Sequence, residues 1–312
     1  MTLARALELA ERGRGTTYPN PVVGAVAVSE GEVVGEGWHE RKGGPHGEIV
    51  ALEGAGERAR GATLYVTMEP CTHHGDTPPC TTAVLDAGVG RVVAGSLDPN
   101  PKAGGGLELL GKAGVDVELI DSFEARAQNE AWRTWISKGR PFVTYKAAST
   151  LDGRLSVPGE RWVSGEESRR LVHELRAASD AVAVGMGTVR ADSPRLDARD
   201  VDAPRQPRRL AFGRGPLPEE SELELRAGRL QEELAALAGD GVQSLLLEGG
   251  PTLAAAFVRE DLVDKVLVFV APKLAGEGPP LLEGGVPARR LSRLAARQVG
   301  EDVLLSAYVH EP

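Results

Sequence analysis

His46 and Glu48 in Pro45-His46-Gly47-Glu48, with Cys71 and Cys80 in Pro70-Cys71-Thr72-His73-His74-Gly75-Asp76-Thr77-Pro78-Pro79-Cys80, supply three zinc-binding side chains and one carboxylate left over. One imidazole and two thiolates leave the fourth corner of a tetrahedral zinc for water, which the metal acidifies toward hydroxide at neutral pH. Glu48 is then the proton carrier: it takes the proton from that water, protonates a ring nitrogen, and finally protonates the departing amine. The chemistry is hydrolytic release of ammonia from an amino-substituted ring. Two other uses of these residues stay open. Cys71 and Cys80 are the only cysteines, and a disulfide between them would close a short loop in an oxidising compartment, although no leader peptide directing the chain there is expected. A structural zinc would draw a fourth ligand from His73, His74 or Asp76 and shut out the water. Glu48 favours the catalytic reading, because a structural site has no use for an acid there.

The surrounding pattern supplies elements that position these groups. Val22 to Val28 and Glu32 to Glu36 read as a hairpin, and His46 opens a helical stretch through Ile49, Val50 and Leu52. A strand over Thr63 to Met68 delivers Cys71, and Pro78-Pro79 start a helix that stops at Gly88. Ligands at helix starts favour thiolate over thiol, because helix N-termini stabilise anions. Strands at Arg91 to Ser96 and Val115 to Leu119, with a helix at Leu107 to Lys112 between them, complete an α/β/α layered domain.

The residues now resemble a known family. The zinc motif with its long insertion between the cysteines, Tyr18-Pro19-Asn20-Pro21-Val22-Val23-Gly24, Gly37-Trp38-His39 and Asp98-Pro99-Asn100-Pro101 look like the bifunctional riboflavin-biosynthesis deaminase/reductase family. General nucleobase deaminases usually place two residues between the cysteines. The resemblance implies a cytidine-deaminase-like N-terminal fold. It also implies a first substrate, 2,5-diamino-6-ribosylamino-4(3H)-pyrimidinone 5′-phosphate, which loses its 2-amino group. Asn20, His39, His73, Asp98 and Asn100 match family positions that line the pyrimidine or phosphate pocket. Two departures stand out: Asp76 occupies a position where the family usually carries Lys or Arg, and Lys102-Ala103-Gly104-Gly105-Gly106 is short and lacks a basic residue near its end. An acid near a phosphorylated substrate repels it, which leaves Lys102 or a neighbouring subunit to bind the phosphate.

At 312 residues the chain has room for about two domains. A helix is expected over Ala125 to Trp135, and the break near Lys138-Gly139-Arg140-Pro141 sets domains at 1–140 and 141–312. Beyond it, strands are expected at Phe142 to Ser149, Ala181 to Val184, Arg209 to Phe212, Ser244 to Leu247, Lys265 to Val270 and Val303 to Val309. Ser164 and Glu167 form a capping box for an intervening helix. Alternating order and apolar runs predict a largely parallel sheet with helices outside. Glu248-Gly249-Gly250-Pro251-Thr252-Leu253-Ala254 ends a strand and enters a helix whose amides can hold an anion. Alone it is equally a connector, and it lacks the Rossmann spacing. Lys146 places a cation on an apolar strand and needs a polar or anionic partner, a role a substrate carbonyl or carboxylate could fill.

With Leu151-Asp152-Gly153-Arg154 and Gly187-Thr188-Val189-Arg190-Ala191-Asp192, these segments resemble the reductase half of the same family, a dihydrofolate-reductase-like α/β fold. That resemblance implies NADPH-dependent reduction of the ribosyl group to ribityl. By matching position, Ala148, Trp162, Thr188, Asp192 and the stretch Gly250, Pro251, Thr252, Leu253, Ala254, Ala255 and Ala256 contact NADPH, while Arg176, Leu196, Arg199 and Glu248 contact substrate, and Lys146 joins the substrate set on its charge alone. Arg176 and Arg199 suit phosphate because a guanidinium binds two oxygens at once. The region Arg209 to Leu245 is compact relative to the family. Arg214 is placed either to meet a 2′-phosphate or to serve as a turn residue.

A net charge of −9 disfavours polyanionic partners, and no basic patch stands out beyond Arg205 to Arg209. No apolar run reaches the roughly eighteen residues of a membrane span. The expectation is a cytoplasmic, zinc- and NADPH-using enzyme of a small phosphorylated pyrimidine, assembled as a homodimer or homotetramer, without nucleic-acid or membrane partners. Two alternatives are a zinc nucleobase or nucleoside deaminase with a non-reducing scaffold half, and a non-catalytic zinc-stabilised binding module.

Overall fold

A computed structural model describes residues 2–75 and 77–312, so Asp76 lies outside the described residues. The chain divides into two compact units, residues 1–138 with 312, and residues 139–311.

The first unit contains helices α1 (Thr2–Glu11), α2 (Gly47–Ala55), α3 (Cys80–Asp86), α4 (Gly106–Lys112), α5 (Phe123–Gln128) and α6 (Glu130–Lys138). Its strands are β1 (Gly24–Ser29), β2 (Glu32–Trp38), β3 (Thr63–Val66), β4 (Arg91–Ala94) and β5 (Asp116–Leu119), in the order β2-β1-β3-β4-β5. β1 runs antiparallel to both neighbours, and β3, β4 and β5 are parallel. The expected hairpin closes through Glu30-Gly31, both with positive φ (53° and 84°), the conformation that matches a tight turn to strand twist. One sheet face buries Ala25, Leu64 and Val92 against Leu52, Val84 and Leu110 of the helices, and the other covers Val26 with Ala6 and Leu9 of α1. The result is the expected α/β/α layering. Helix α2 approaches β2 so closely that a Cβ on Gly37 would sit 2.4 Å from the Gly47 carbonyl oxygen and 2.5 Å from the Ala51 nitrogen. Only glycine permits that seat, and it brings Glu48 onto the sheet.

The single helix expected over Ala125 to Trp135 is two helices. They break at Asn129, whose buried side-chain amide donates to the Val22 carbonyl and accepts from the Val22 N–H, both at 2.9 Å. A side chain that mimics a backbone partner competes with the helix that carries it.

In the second unit the strands are β6 (Phe142–Thr150), β7 (Ala181–Gly185), β8 (Arg208–Phe212), β9 (Glu224–Arg226), β10 (Ser244–Leu247), β11 (Lys265–Ala271), β12 (Ser292–Val299) and β13 (Asp302–Tyr308). Their order is β12-β13-β11-β6-β10-β7-β8-β9, parallel from β11 through β9 and antiparallel at the β11–β13–β12 end. Helices α9 (Leu230–Gly239) and α10 (Pro251–Arg259) close one face around Tyr145, Leu234, Leu247 and Phe257. α7 (Glu166–Ala177) packs Val172 on Phe269 and Leu304, and the short α8 (Met186–Asp192) caps β7. The capping box does not form. Gly165 is the N-cap of α7, and its N–H donates to buried Asp302 Oδ2 at 2.8 Å, so β13 satisfies the helix start from outside it.

Candidate active sites

In the first unit, His46 is the N-cap of α2 and Cys80 the first residue of α3, while Cys71 follows β3 on an extended segment. His46 Nδ1 lies 3.2 Å from Cys80 Sγ and 3.7 Å from Cys71 Sγ, and the three ligand atoms all fall within 4.8 Å of one another. Both cysteines are free and buried, so the disulfide alternative is not the arrangement seen. The Cys80 thiol bonds to Cys71 and, with the His46 ring aiding and burial opposing, pulls Cys71 down to about 4; the same bond and burial push Cys80 up. These contacts favour the ionised form at Cys71 over Cys80. The Cys80 N–H at 3.4 Å from Cys71 Sγ adds the positive end of a helix to that preference.

Glu48 is buried, and its Oε2 has no hydrogen-bond partner among the described residues. Burial raises its carboxyl above the usual range, with His46 opposing and ionised Cys71 assisting. An orphaned carboxyl oxygen beside two sulfurs and an imidazole is the donor set a catalytic zinc and its proton acceptor require, so the residues fit the metal.

The expected substrate residues gather only in part. The His39 ring meets the His46 ring edge-on at 5.1 Å. Its Nδ1 lies 3.0 Å from the Pro45 carbonyl, which leaves Nε2 to accept from Asn20 Nδ2 at 3.4 Å. Burial holds the His39 imidazole below its ordinary range, consistent with a neutral ring. His73 Nδ1 is buried without a partner among the described residues. Asp98 Oδ1 accepts the Asn100 N–H at 2.8 Å, and Asn100 Oδ1 accepts the Lys102 N–H at 3.1 Å. Burial raises the Asp98 carboxyl to about 6, with the Asn100 N–H opposing and Glu69 adding to the rise. A carboxyl raised on folding favours the fold below its unfolded value near 4 and loses that contribution as pH rises through 6. Asp98→Asn is therefore expected to be more stable than the parent at pH 8 by about 1–2 kcal/mol, with no advantage near pH 4, while its deaminase KM rises. Melting curves at the two pH values check the sign.

In the second unit, Lys146, Arg176 and Glu248 converge. Arg176 holds both Glu248 oxygens, Nε at 2.6 Å and Nη2 at 3.0 Å, and Lys146 Nζ lies 3.5 Å from Oε2. All three side chains are at most 14% exposed. The sequence looked to substrate for the partner of Lys146; here the protein supplies it as Glu248. Arg199 likewise bonds Asp197 Oδ1 at 2.6 Å, and Arg176 Nη1 donates to the Asp197 carbonyl at 3.1 Å. Asp197 carries only a weak signal in the sequence, its spacing two residues before Arg199.

Gly250 is the N-cap of α10, and Pro251 occupies its first turn. The N–H groups of Thr252 and Leu253 have no intrahelical acceptor by position. Gly250 lies beside Thr188, its Cβ position 3.6 Å from Thr188 Oγ1. An open cleft of about 440 Å³ adjoins this turn, lined by Gly213, Arg226, Arg229, Leu253 and Ala256. Glycine turn and helix start together suit a dinucleotide phosphate; the cleft also carries Glu260, and its Arg226 is paired with Glu224 and Glu233. Leu196, Ala254 and Ala255 are buried in the core, so their side chains do not reach a ligand and only their backbone remains for that role. Trp162 is 48% exposed between the Arg161 and Arg169 guanidinium groups. Ala148 is partly buried on β6, packed against the cluster around Phe269, and Asp192 ends α8.

Fold and sites define a two-activity enzyme class, a zinc deaminase joined to a reductase. Residues 1–96 match the cytidine and deoxycytidylate deaminase zinc-binding region, and residues 141–305 match the RibD C-terminal domain. The riboflavin biosynthesis protein RibD of Aquifex aeolicus is 40% identical over 96% of this chain and 95% of its own. That of Escherichia coli strain K12 is 39% identical over 97% of each chain. The solved Acinetobacter baumannii RibD superimposes with a TM-score of 0.85 at 34% identity, covering 98% of this chain and 97% of that one. A Thermotoga maritima diaminohydroxyphosphoribosylaminopyrimidine deaminase/5-amino-6-(5-phosphoribosylamino)uracil reductase gives 0.82 at the same identity and coverage. The chain belongs to the RibD family of riboflavin biosynthesis. It is a bifunctional deaminase and reductase that uses zinc and NADPH.

Proposed function

We propose that residues 1–140 deaminate 2,5-diamino-6-ribosylamino-4(3H)-pyrimidinone 5′-phosphate and that residues 141–312 reduce the ribosyl group of the product to ribityl. The observation that carries the first half is the cluster of half-buried His46 with buried Cys71 and Cys80, beside a buried Glu48 whose Oε2 has no partner among the described residues. Held by those three residues, zinc supplies a Lewis acid that acidifies water. Glu48 would receive the proton of the attacking water at its carboxylate, hand it to the ring nitrogen next to the attacked carbon, and then carry the hydroxyl proton of the new C–O bond to the departing amine. Asn20 and His39 orient the pyrimidine edge, and Asp98 and Asn100 present polar atoms to the ring or ribose. His73, whose Nδ1 has no partner among the described residues, offers a further donor or acceptor.

In the second half, NADPH supplies hydride to the sugar carbon attached to nitrogen. The α10 start and the adjoining cleft bind its phosphates and adenosine, with Thr188, Asp192, Trp162 and Ala148 beside them. Lys146 and Arg176, fixed by Glu248, present positive charge to the ribosyl phosphate side, and Arg199 joins them on leaving Asp197. β12 supports homo-oligomer formation: from Arg293 through Gln298 it is exposed on both faces of an edge strand, an arrangement that a second copy would cover. A cytoplasmic setting is supported by the two free cysteines, and no helix among the described residues is long and apolar enough to cross a membrane.

Metal removal separates the halves. Chelation is expected to abolish ammonia release while reduction of separately supplied deaminated substrate continues at the parental rate. Loss of both activities on chelation would overturn the assignment of one activity to each half.

A further inference from the structure

Glu69 is an acid two residues before the ligand Cys71 and only 5% exposed. Its backbone N–H donates to the Ser96 carbonyl at 2.9 Å, which ties the end of β3 to the end of β4. Its two carboxylate oxygens face opposite ends of a single loop. Oε1 accepts the Asp98 N–H at 3.0 Å, and Oε2 accepts the Leu107 N–H at 3.2 Å in the first turn of α4. Asp98 is itself one anchor, and Asn100 lies between the two.

The same loop is stitched at its middle to the residue after Cys71. The Thr72 N–H donates to the Ala103 carbonyl at 3.0 Å, and Thr72 Oγ1 reaches the Ala103 and Gly104 carbonyls at 3.2 and 3.1 Å. Gly106 passes so close to the Pro70 carbonyl that a Cβ there would lie 1.8 Å from its oxygen. The segment Glu69–Thr72, which carries a metal ligand, and the loop 98–107 therefore move as one piece.

We propose that Glu69 is a positioning residue of the deaminase: by clamping both ends of the Asp98–Leu107 loop it sets the distance from Asp98 and Asn100 to the metal ligands, and so governs how tightly the phosphorylated pyrimidine is held. The inference rests on the deaminase reading above. A carboxylate suits the task because it only accepts, so both loop N–H groups find an acceptor at once. An amide cannot do this in either orientation, since one of its two ends is a donor that meets an N–H. The cost of such a mismatch falls on loop geometry, one removed from the reacting atoms, where a shift of about 1 Å is enough to lower catalytic efficiency on the order of a hundredfold.

The test uses the full-length zinc-loaded enzyme and its Glu69→Gln variant, with Thr72→Val as a second cut in the same stitching that leaves the carboxylate in place. Zinc content, deaminase kcat and KM, and NADPH-dependent reduction of separately supplied deaminated substrate are measured on each. The expected result is a deaminase KM raised at least tenfold in Glu69→Gln and severalfold in Thr72→Val, with kcat within about threefold, one zinc per chain and unchanged reduction. The reductase reading reports that the chain is folded, and a wild-type protein that deaminates nothing would count against the deaminase assignment instead. A fall in kcat together with zinc loss at unchanged KM would overturn the proposal, because Glu69 would then act on the metal alone. Unchanged kinetics in Glu69→Gln would overturn it as well.

Discussion

Glu48→Gln releases ammonia on the order of a thousandfold more slowly than the parent enzyme while keeping its zinc and its reductase activity. The size follows from what is removed. Gln keeps the volume of a side chain that is buried on α2, so the packing against β2 survives. His46, Cys71 and Cys80 are untouched, so the metal stays. What disappears is the buried carboxyl beside the ligand cluster, the group that burial already holds on the proton-binding side. Without it each proton transfer falls to solvent in a site that excludes it. Zinc analysis and an ammonia assay on the same sample check both halves of the statement. Retained ammonia release would assign the proton transfers to another group, and loss of zinc would make Glu48 a support of the metal.

The second large effect is expected at the other site. Arg176→Ala should lose at least a hundredfold in reductase kcat/KM and about 3 kcal/mol of stability in the second unit, with deamination unchanged. Glu248 is nearly buried and keeps its charge because Lys146 and Arg176 together outweigh the burial that would raise its carboxyl. A carboxyl depressed in this way stabilises the fold above its unfolded value and loses that contribution as pH falls. Removing the bidentate partner leaves Lys146 at 3.5 Å from Glu248 and leaves the Asp197 carbonyl to His173 Nδ1 at 3.2 Å. The Asp197–Arg199 pair would then lose one of its anchors. With NADPH present, the deaminated ribosyl compound should accumulate. Normal conversion to the ribityl product would reduce Arg176 to a structural ion pair.

The ligand residues and Glu48 were legible because metal chemistry fixes residue type and spacing, and helix starts at His46 and Cys80 mark themselves by Pro and by apolar periodicity. Parallel strands such as β7 and β10 were legible as short apolar runs. Other features depend on contacts from far along the chain. The break at Asn129 follows from its bonds to Val22, and the start of α7 follows from Asp302, both more than a hundred residues distant. β9 has three residues, and β12 is exposed on both faces, so neither carries an apolar signal. The pairing of Lys146 and Arg176 with Glu248 was invisible for the same reason: each is an isolated charge in sequence, and only the sheet order β6-β10-β7 brings them together. Glu69 and Asp197 were passed over because an acid beside a strand end or an arginine is common, and its meaning lies in which N–H or guanidinium it faces.

One measurement tests the two-activity claim most directly: mass spectrometry of the products when purified, zinc-loaded protein is incubated with the diaminopyrimidine ribosyl phosphate, with and without NADPH. Without NADPH the expected product is the deaminated uracil derivative alone, and with NADPH it is the ribityl form, richer by two hydrogens. Deamination that stops there in the presence of NADPH would contradict the reductase assignment of residues 141–312, and unchanged substrate under both conditions would contradict the function assigned to both halves.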